Sequence, residues 1–192
     1  MNFLDVLNDT KTSHHQRASQ TGALTAGAAT KLVFYCRNLS TTHFAMIQGF
    51  SINGVYATTA FAAGAVRYQL HVARTFTAEN ASPAGTLLHP SPALGVIRIS
   101  ATAVLGAPTW ALDQNAIGEL ASHSSGGAAA ATPIIGSQFV PNDGALFECD
   151  PARGESPIIL GQNEGLALQV TVPATGVWVA GVTMKWAETQ NL

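Results

Sequence analysis

The side chains of this chain that could do chemistry are few and widely spaced. Six histidines, His14, His15, His43, His71, His89 and His123, are spread over 192 residues. A metal site built from neighbouring ligands shows spacings such as H-x-x-x-H or C-x-x-C, which bring two donors to one helix face or one knuckle. Neither spacing occurs, and only His14 and His15 are adjacent. Glu148, Asp150 and Glu155 form the acidic group from which a glycosidase carboxylate pair could be drawn. Their context, Cys149-Asp150-Pro151-Ala152-Arg153-Gly154, reads instead as a turn, with Asp150 bonded to local backbone and Arg153 as its partner. Ser124-Ser125-Gly126-Gly127 lacks the strand and helix that frame a G-x-S-x-G nucleophile. Phosphate-cradling glycine patterns are absent as well. The chain is therefore expected to carry no catalytic residue, no metal site and no cofactor.

The tryptophans are the remaining candidates. Trp178 and Trp186 share one strand face with Met184, which makes them core side chains. Trp110 sits in a proline-rich connection. It is either an exposed aromatic on which a sugar could stack or a plug over the edge of the core.

Composition narrows the class. Hydrophobic residues make up 47% of the chain and charged residues only 10%, against roughly 25% charged in ordinary soluble domains. Either much of the surface is covered by other protein, or a monomer is coated with Thr, Ser, Gln and Asn. A net charge of −2 with nine scattered Lys and Arg argues against a nucleic-acid partner. No apolar run is long enough to span a bilayer. The first residues lack the charged-then-apolar layout of a secretory signal, so a soluble chain made in the cytoplasm is expected. Cys36 lies in a strand-like run and reads as a buried free thiol, and a bridge to Cys149 is not expected in a reducing compartment.

The elements that would position these residues are strands. Leu166, Leu168, Val170 and Val172 alternate with polar or small residues. After Pro173-Ala174-Thr175-Gly176, Trp178, Ala180, Val182, Met184 and Trp186 alternate in the same way, which predicts a long β-hairpin. Further strands are expected at Leu32–Arg37, at Phe44, Met46, Phe50 and Ile52 with a turn at Asn53-Gly54, at Val66–Ala73, and at Val96–Ser100. Weaker signals fall at Thr109–Leu112, Ala145–Glu148 and Pro157–Leu160. Ala57–Ala65 and Thr75–Gly85 read as small-residue loops, and Ser122–Thr132 as a low-complexity loop. About eight or nine short strands without a helical period indicate an all-β chain with a single sandwich, jelly-roll or barrel domain. That domain is expected over residues 31–192, behind an extended and partly flexible N-terminal arm over residues 1–30. The arm carries an apolar tip, Phe3, Leu4, Val6 and Leu7, which suits either docking on a neighbour or a frayed terminus.

Two motifs carry a resemblance. Leu160-Gly161-Gln162-Asn163-Glu164-Gly165, Val172-Pro173-Ala174-Thr175-Gly176, Trp178 and the final Val182-Thr183-Met184-Lys185-Trp186-Ala187-Glu188 strand follow an earlier Phe61-Ala62-Ala63-Gly64-Ala65 and Ala73-Arg74-Thr75-Phe76-Thr77. In that order they resemble small β-rich structural proteins of tailed bacteriophage virions, over about residues 31–188. The resemblance implies a non-enzymatic sandwich or jelly-roll subunit of the virion, with a capsid decoration (cement) protein as the favoured version. It implies a major capsid protein or other virion proteins as partners, a homo-oligomer that is trimeric by analogy, and a location in the virion after synthesis in the host cytoplasm. Phe3, Leu4, Val6 and Leu7 would then lie on a neighbouring subunit. The alternative is a tail- or fibre-associated module that binds a host-surface glycan through Trp110.

Overall fold

Strict alternation in the last strand organises the whole molecule. A computed structural model describes residues 13–20, 24–25, 30–59, 62–78, 97–99, 109–124 and 144–190. The described residues form strands β1 (Ser13–Gln20), β2 (Leu24–Thr25), β3 (Lys31–Asn38), β4 (Phe44–Thr59), β5 (Gly64–Ala78), β6 (Ile97–Ile99), β7 (Thr109–Leu112) and β8 (Gly118–Ser124). They continue with β9 (Ala145–Glu148), a short 3-10 turn (Pro151–Arg153), β10 (Ile158–Leu160), β11 (Gly165–Thr171) and β12 (Val177–Thr189). The first sheet has the order β1-β12-β4-β10, with β2 beside β12 and β9 beside β4. The second has the order β6-β3-β11-β5-β7, with β8 also on β5.

The pairing is nested. Antiparallel pairs form between β1 and β12, β3 and β11, β4 and β10, and β5 and β8. Successive strands along the chain mostly change sheet, so the nested ribbon wraps into two layers. That is a jelly-roll sandwich. Its main core takes Phe34, Cys36, Val66, Tyr68, Leu70, Leu166, Leu168 and Val170 from the second sheet. From the first it takes Ile47, Phe50, Ile52, Trp178, Ala180, Val182, Met184 and Trp186. Phe34 and Phe50 meet across the layers edge to face, with ring centroids 5.2 Å apart.

The expected terminal hairpin is not one. β11 pairs with β3 and β5 in the second sheet, whereas β12 pairs with β1, β2 and β4 in the first. The Pro173–Gly176 segment, with Thr175 at φ 66° and Gly176 at φ 108°, carries the chain over the core. Period-two patterning assigns faces but not partners, and two inward faces are buried equally well as a hairpin or as an arch.

The Asn53-Gly54 turn is likewise absent, because β4 runs through it. β4 carries three residues, Gln48, Asn53 and Thr58, with no partner in the unbroken alternation of β12. Each is a bulge, and each moves the inward set of β4 by one residue. Ala45 and Ile47 point into the core before the first bulge, and Phe50 and Ile52 after it. Phe44 and Met46 therefore lie on the opposite face from Phe50 and Ile52, not beside them as the alternation suggested. The ends of the expected Ala57–Ala65 loop are strand, since β4 reaches Thr59 and β5 starts at Gly64. Thr75–Ala78 still belongs to β5, and Ser122–Ser124 to β8.

The sandwich also takes in residues assigned to the arm. β1 lies along β12 for eight residues, from Ser13 opposite Glu188 to Gln20 opposite Gly181. Backbone pairing holds this segment to the sheet even though its small polar side chains give no apolar signal.

Candidate functional site

One end of the sandwich gathers most of the polar side chains that are held in place. There β3 passes to β4 and β10 passes to β11. Asn38 is fully buried at this corner. Its Nδ2 donates to the carbonyls of His43 at 2.9 Å and Leu160 at 3.0 Å, and its Oδ1 accepts from the Ser40 N–H at 2.9 Å. Its backbone donates to the Glu164 carbonyl and accepts from the Asn163 N–H, each at 2.8 Å. One side chain thus ties the ends of both sheets together. Asn38→Ala should lower the unfolding free energy by about 2–3 kcal/mol, because two buried carbonyls lose their donor. Asn38→Asp should cost more at neutral pH, since a carboxylate would face both carbonyl oxygens. Urea denaturation of the two variants measures the ranking, and equal stability for all three proteins would refute it.

Beside this corner stands the one serine–histidine pair that the described hydrogen bonds show. Ser40 Oγ lies 3.2 Å from His43 Nδ1, and Thr42 Oγ1 lies 2.9 Å from the same nitrogen. The Ser40 hydroxyl oxygen accepts from the backbone N–H groups of Thr42 (3.1 Å) and His43 (2.9 Å). His43 is buried, and its Nε2 has no hydrogen-bond partner. Ser40 is thus held as a turn cap, and no acid orients the imidazole as a nucleophile's base would need. Sequence inspection missed this pair because the hydroxyls and the ring meet only through the tight corner.

The charged residues next to the corner are also bound to one another. Arg74 on β5 holds Asp113 through Nε (3.2 Å) and Nη2 (3.1 Å), and holds Glu164 through Nη1. Glu164 in turn accepts from the Gly161 N–H at 2.9 Å. These two carboxylates keep the Arg74 guanidinium protonated well above its ordinary range. Arg37 donates to the Asn163 side-chain oxygen at 2.6 Å. His71, expected at solvent or a subunit contact, is buried, with Nδ1 3.0 Å from the Asp113 carbonyl.

The acidic group lies elsewhere, on the edge of the first sheet between β9 and β10. It lines an open polar cleft of about 640 Å³. Asp150 caps the 3-10 turn, accepting from the Ala152 N–H at 3.0 Å and lying 3.3 Å from Arg153 Nε. Glu155 Oε2 accepts from the Asp150 N–H at 2.8 Å. Both carboxylates are engaged in shaping the turn, as the sequence context indicated. Among the described residues no three His, Cys, Asp or Glu side chains gather so as to hold a metal ion.

Trp110 on β7 is half-buried and packs edge-on against Tyr35, with centroids 5.5 Å apart. With Leu32 and Leu112 it covers Tyr35, Ala73 and Ala167 in a second, smaller apolar cluster. This cluster lies on the outer face of the second sheet, since Ala167 stands opposite both Tyr35 and His71. Trp110 is thus placed as a plug. Phe3, Leu4, Val6 and Leu7 lie outside the described residues.

Both cysteines are free. Burial pushes the Cys36 thiol up to about 12, and burial together with Glu155 and Asp150 raises that of Cys149. At pH 8 Cys149 should react slowly with a thiol reagent, and faster as the pH rises, while Cys36 reacts only after unfolding. Mass spectrometry of the labelled native protein tests this, and rapid double labelling would contradict it.

No protein-family model matches the chain, and no curated protein matches it.

Proposed function

We propose that this chain is a non-enzymatic structural protein of a bacteriophage virion, acting as a decoration subunit that bridges capsid subunits. The observation that carries the reading is the nested jelly-roll strand order, an architecture used by viral capsid domains. Fold by itself leaves function open, so the surface has to be weighed beside it. Only 10% of the residues are charged. Of these, Arg67 with Glu119, Arg74 with Asp113 and Glu164, and Arg153 with Asp150 are already paired within the chain. Phe44 and Ile159 are exposed on the outer face of the first sheet beside its edge. A low-charge surface with apolar side chains beside a sheet edge favours burial against other protein. Many weak contacts repeated over a symmetric shell would give such a subunit its avidity.

The resemblance of the Leu160–Glu188 and Phe61–Thr77 motifs to tailed-phage structural proteins supplies the particle. A homo-oligomer, trimeric by the same analogy, is part of the proposal. The test is co-sedimentation of the purified protein with particles that lack it, followed by heating. Bound protein should raise the temperature at which the shells open. Failure to sediment with particles at any concentration would overturn the reading. The glycan alternative draws no support from Trp110, whose ring packs against Tyr35.

A further inference from the structure

The first sheet carries an apolar patch on the face that points away from the core. His14, Ala187, Met46 and Ile159 are successive partners in one row across β1, β12, β4 and β10. Thr189 and Phe44 are partners in a neighbouring row. Ala45 and Trp186 pack in the core, and Ile158 packs against it, so alternation turns Phe44, Met46, Ile159, Ala187 and Thr189 outward. An outward face of a sandwich would ordinarily meet water. Yet Met46 is 1% exposed and Ala187 and Thr189 are 0% exposed, while Phe44 and Ile159 keep 36% and 44%. Met46 and Ala187 belong to neither apolar cluster. A single chain achieves this burial.

The chain direction says which segment can reach the patch. β1 begins at Ser13, opposite Glu188 and one residue from the His14–Ala187–Met46–Ile159 row. Adjacent strands are roughly 4.8 Å apart, which puts Met46 roughly 10 Å and Ile159 roughly 14 Å from β1. The residues ahead of Ser13 include Phe3, Leu4, Val6 and Leu7, with the polar stretch Asn8–Thr12 between them and the strand. At roughly 3.3 Å per residue, the extended chain from Ser13 back to Leu7 spans about 20 Å. The polar stretch is long enough to cross β12 and β4, which brings the apolar tip over the patch.

We propose that Phe3–Leu7 forms a strap across the outer face of the first sheet of its own chain, seated on Met46, Ala187 and Ile159. This gives the apolar tip a seat on its own subunit in place of the neighbour's surface that the resemblance implied. It is independent of the virion reading and is tested without particles.

The test uses the full chain with Cys149→Ser, so that buried Cys36 is the one remaining native thiol. Leu7→Cys and Ile159→Cys are added together and oxidised. The expected product is a disulfide within one chain, read as a monomer on a non-reducing gel and located by peptide mapping. In parallel, Met46→Cys is labelled with a maleimide. Its rate should rise about tenfold or more when Leu4→Ser and Leu7→Ser remove the apolar anchors, as loss of their burial implies. Disulfide-linked dimers would overturn the proposal, because a second copy's segment would then occupy the patch. It would also be overturned if the Met46→Cys rate did not change and no cross-link formed from either Leu4→Cys or Leu7→Cys.

Discussion

Trp186→Ala should lower the unfolding free energy by about 3–5 kcal/mol, the range for removing a large buried aromatic. The indole is 0% exposed on the inward face of β12, and the backbone partner across the strand pair is Ile47. Two losses combine. The cavity left between the layers cannot collapse easily, because β12 is hydrogen-bonded on both sides. The indole Nε1 also donates to Glu188 Oε1 at 3.0 Å, and Glu188 is itself 0% exposed. Removing a donor from a buried carboxylate adds to the cavity term. Trp186→Phe keeps most of the volume and deletes only the donor, so it should cost less than Trp186→Ala. Denaturant titration of both variants separates the terms. A loss below about 1 kcal/mol for Trp186→Ala would mean that the residue is not core.

Gly165→Ala should be comparably damaging for a different reason. Gly165 starts β11, the strand of the second sheet that pairs with β3 on one side and β5 on the other. A Cβ on Gly165 would stand 1.8 Å from the Cys36 carbonyl oxygen and 2.8 Å from its carbon. The obstacle is backbone in a central pair, so relief requires moving β3 away from β11. That costs about 3 kcal/mol at the upper end of the overpacking range. For a chain of this size it corresponds to a Tm lower by roughly 6–12 °C. Gly161→Ala is the matched control, because its nearest contact is the movable Glu164 Oε2 at 3.5 Å. Calorimetry should show a large shift for Gly165→Ala and a small one for Gly161→Ala, and equal shifts would refute the steric account.

These two positions show where the sequence was legible and where it was not. The inward set of β12, from Trp178 to Trp186, follows from alternation alone, because a strand buried on one face must repeat every second residue. The same holds for Val66, Tyr68, Leu70 and Val72 on β5. The partner of each strand was not legible. β11 and β12 look like a hairpin because faces are encoded locally, while the choice of sheet is decided by the whole nested ribbon. β4 was misread at Asn53-Gly54, since a bulge and a turn favour the same residues. β1 was invisible because its contribution is backbone pairing along β12 and not a hydrophobic stripe. At the polar corner, Asn38 and Ser40–His43 gave no signal, because their partners are carbonyls and hydroxyls brought together by the β3–β4 crossing. The Asp150–Arg153 turn was legible, because its partners are within five residues of one another.

The central claim is that this jelly roll decorates a capsid, and the copy number on particles tests it most directly. Purified protein would be added to particles that lack it, and bound copies per particle measured by quantitative mass spectrometry with the mass of the free oligomer alongside. The account predicts a compact oligomer bound in the hundreds, because a symmetric shell repeats its site over every equivalent position. A handful of copies, matching one vertex or a tail, would contradict a decoration role and place the chain at the neck or tail.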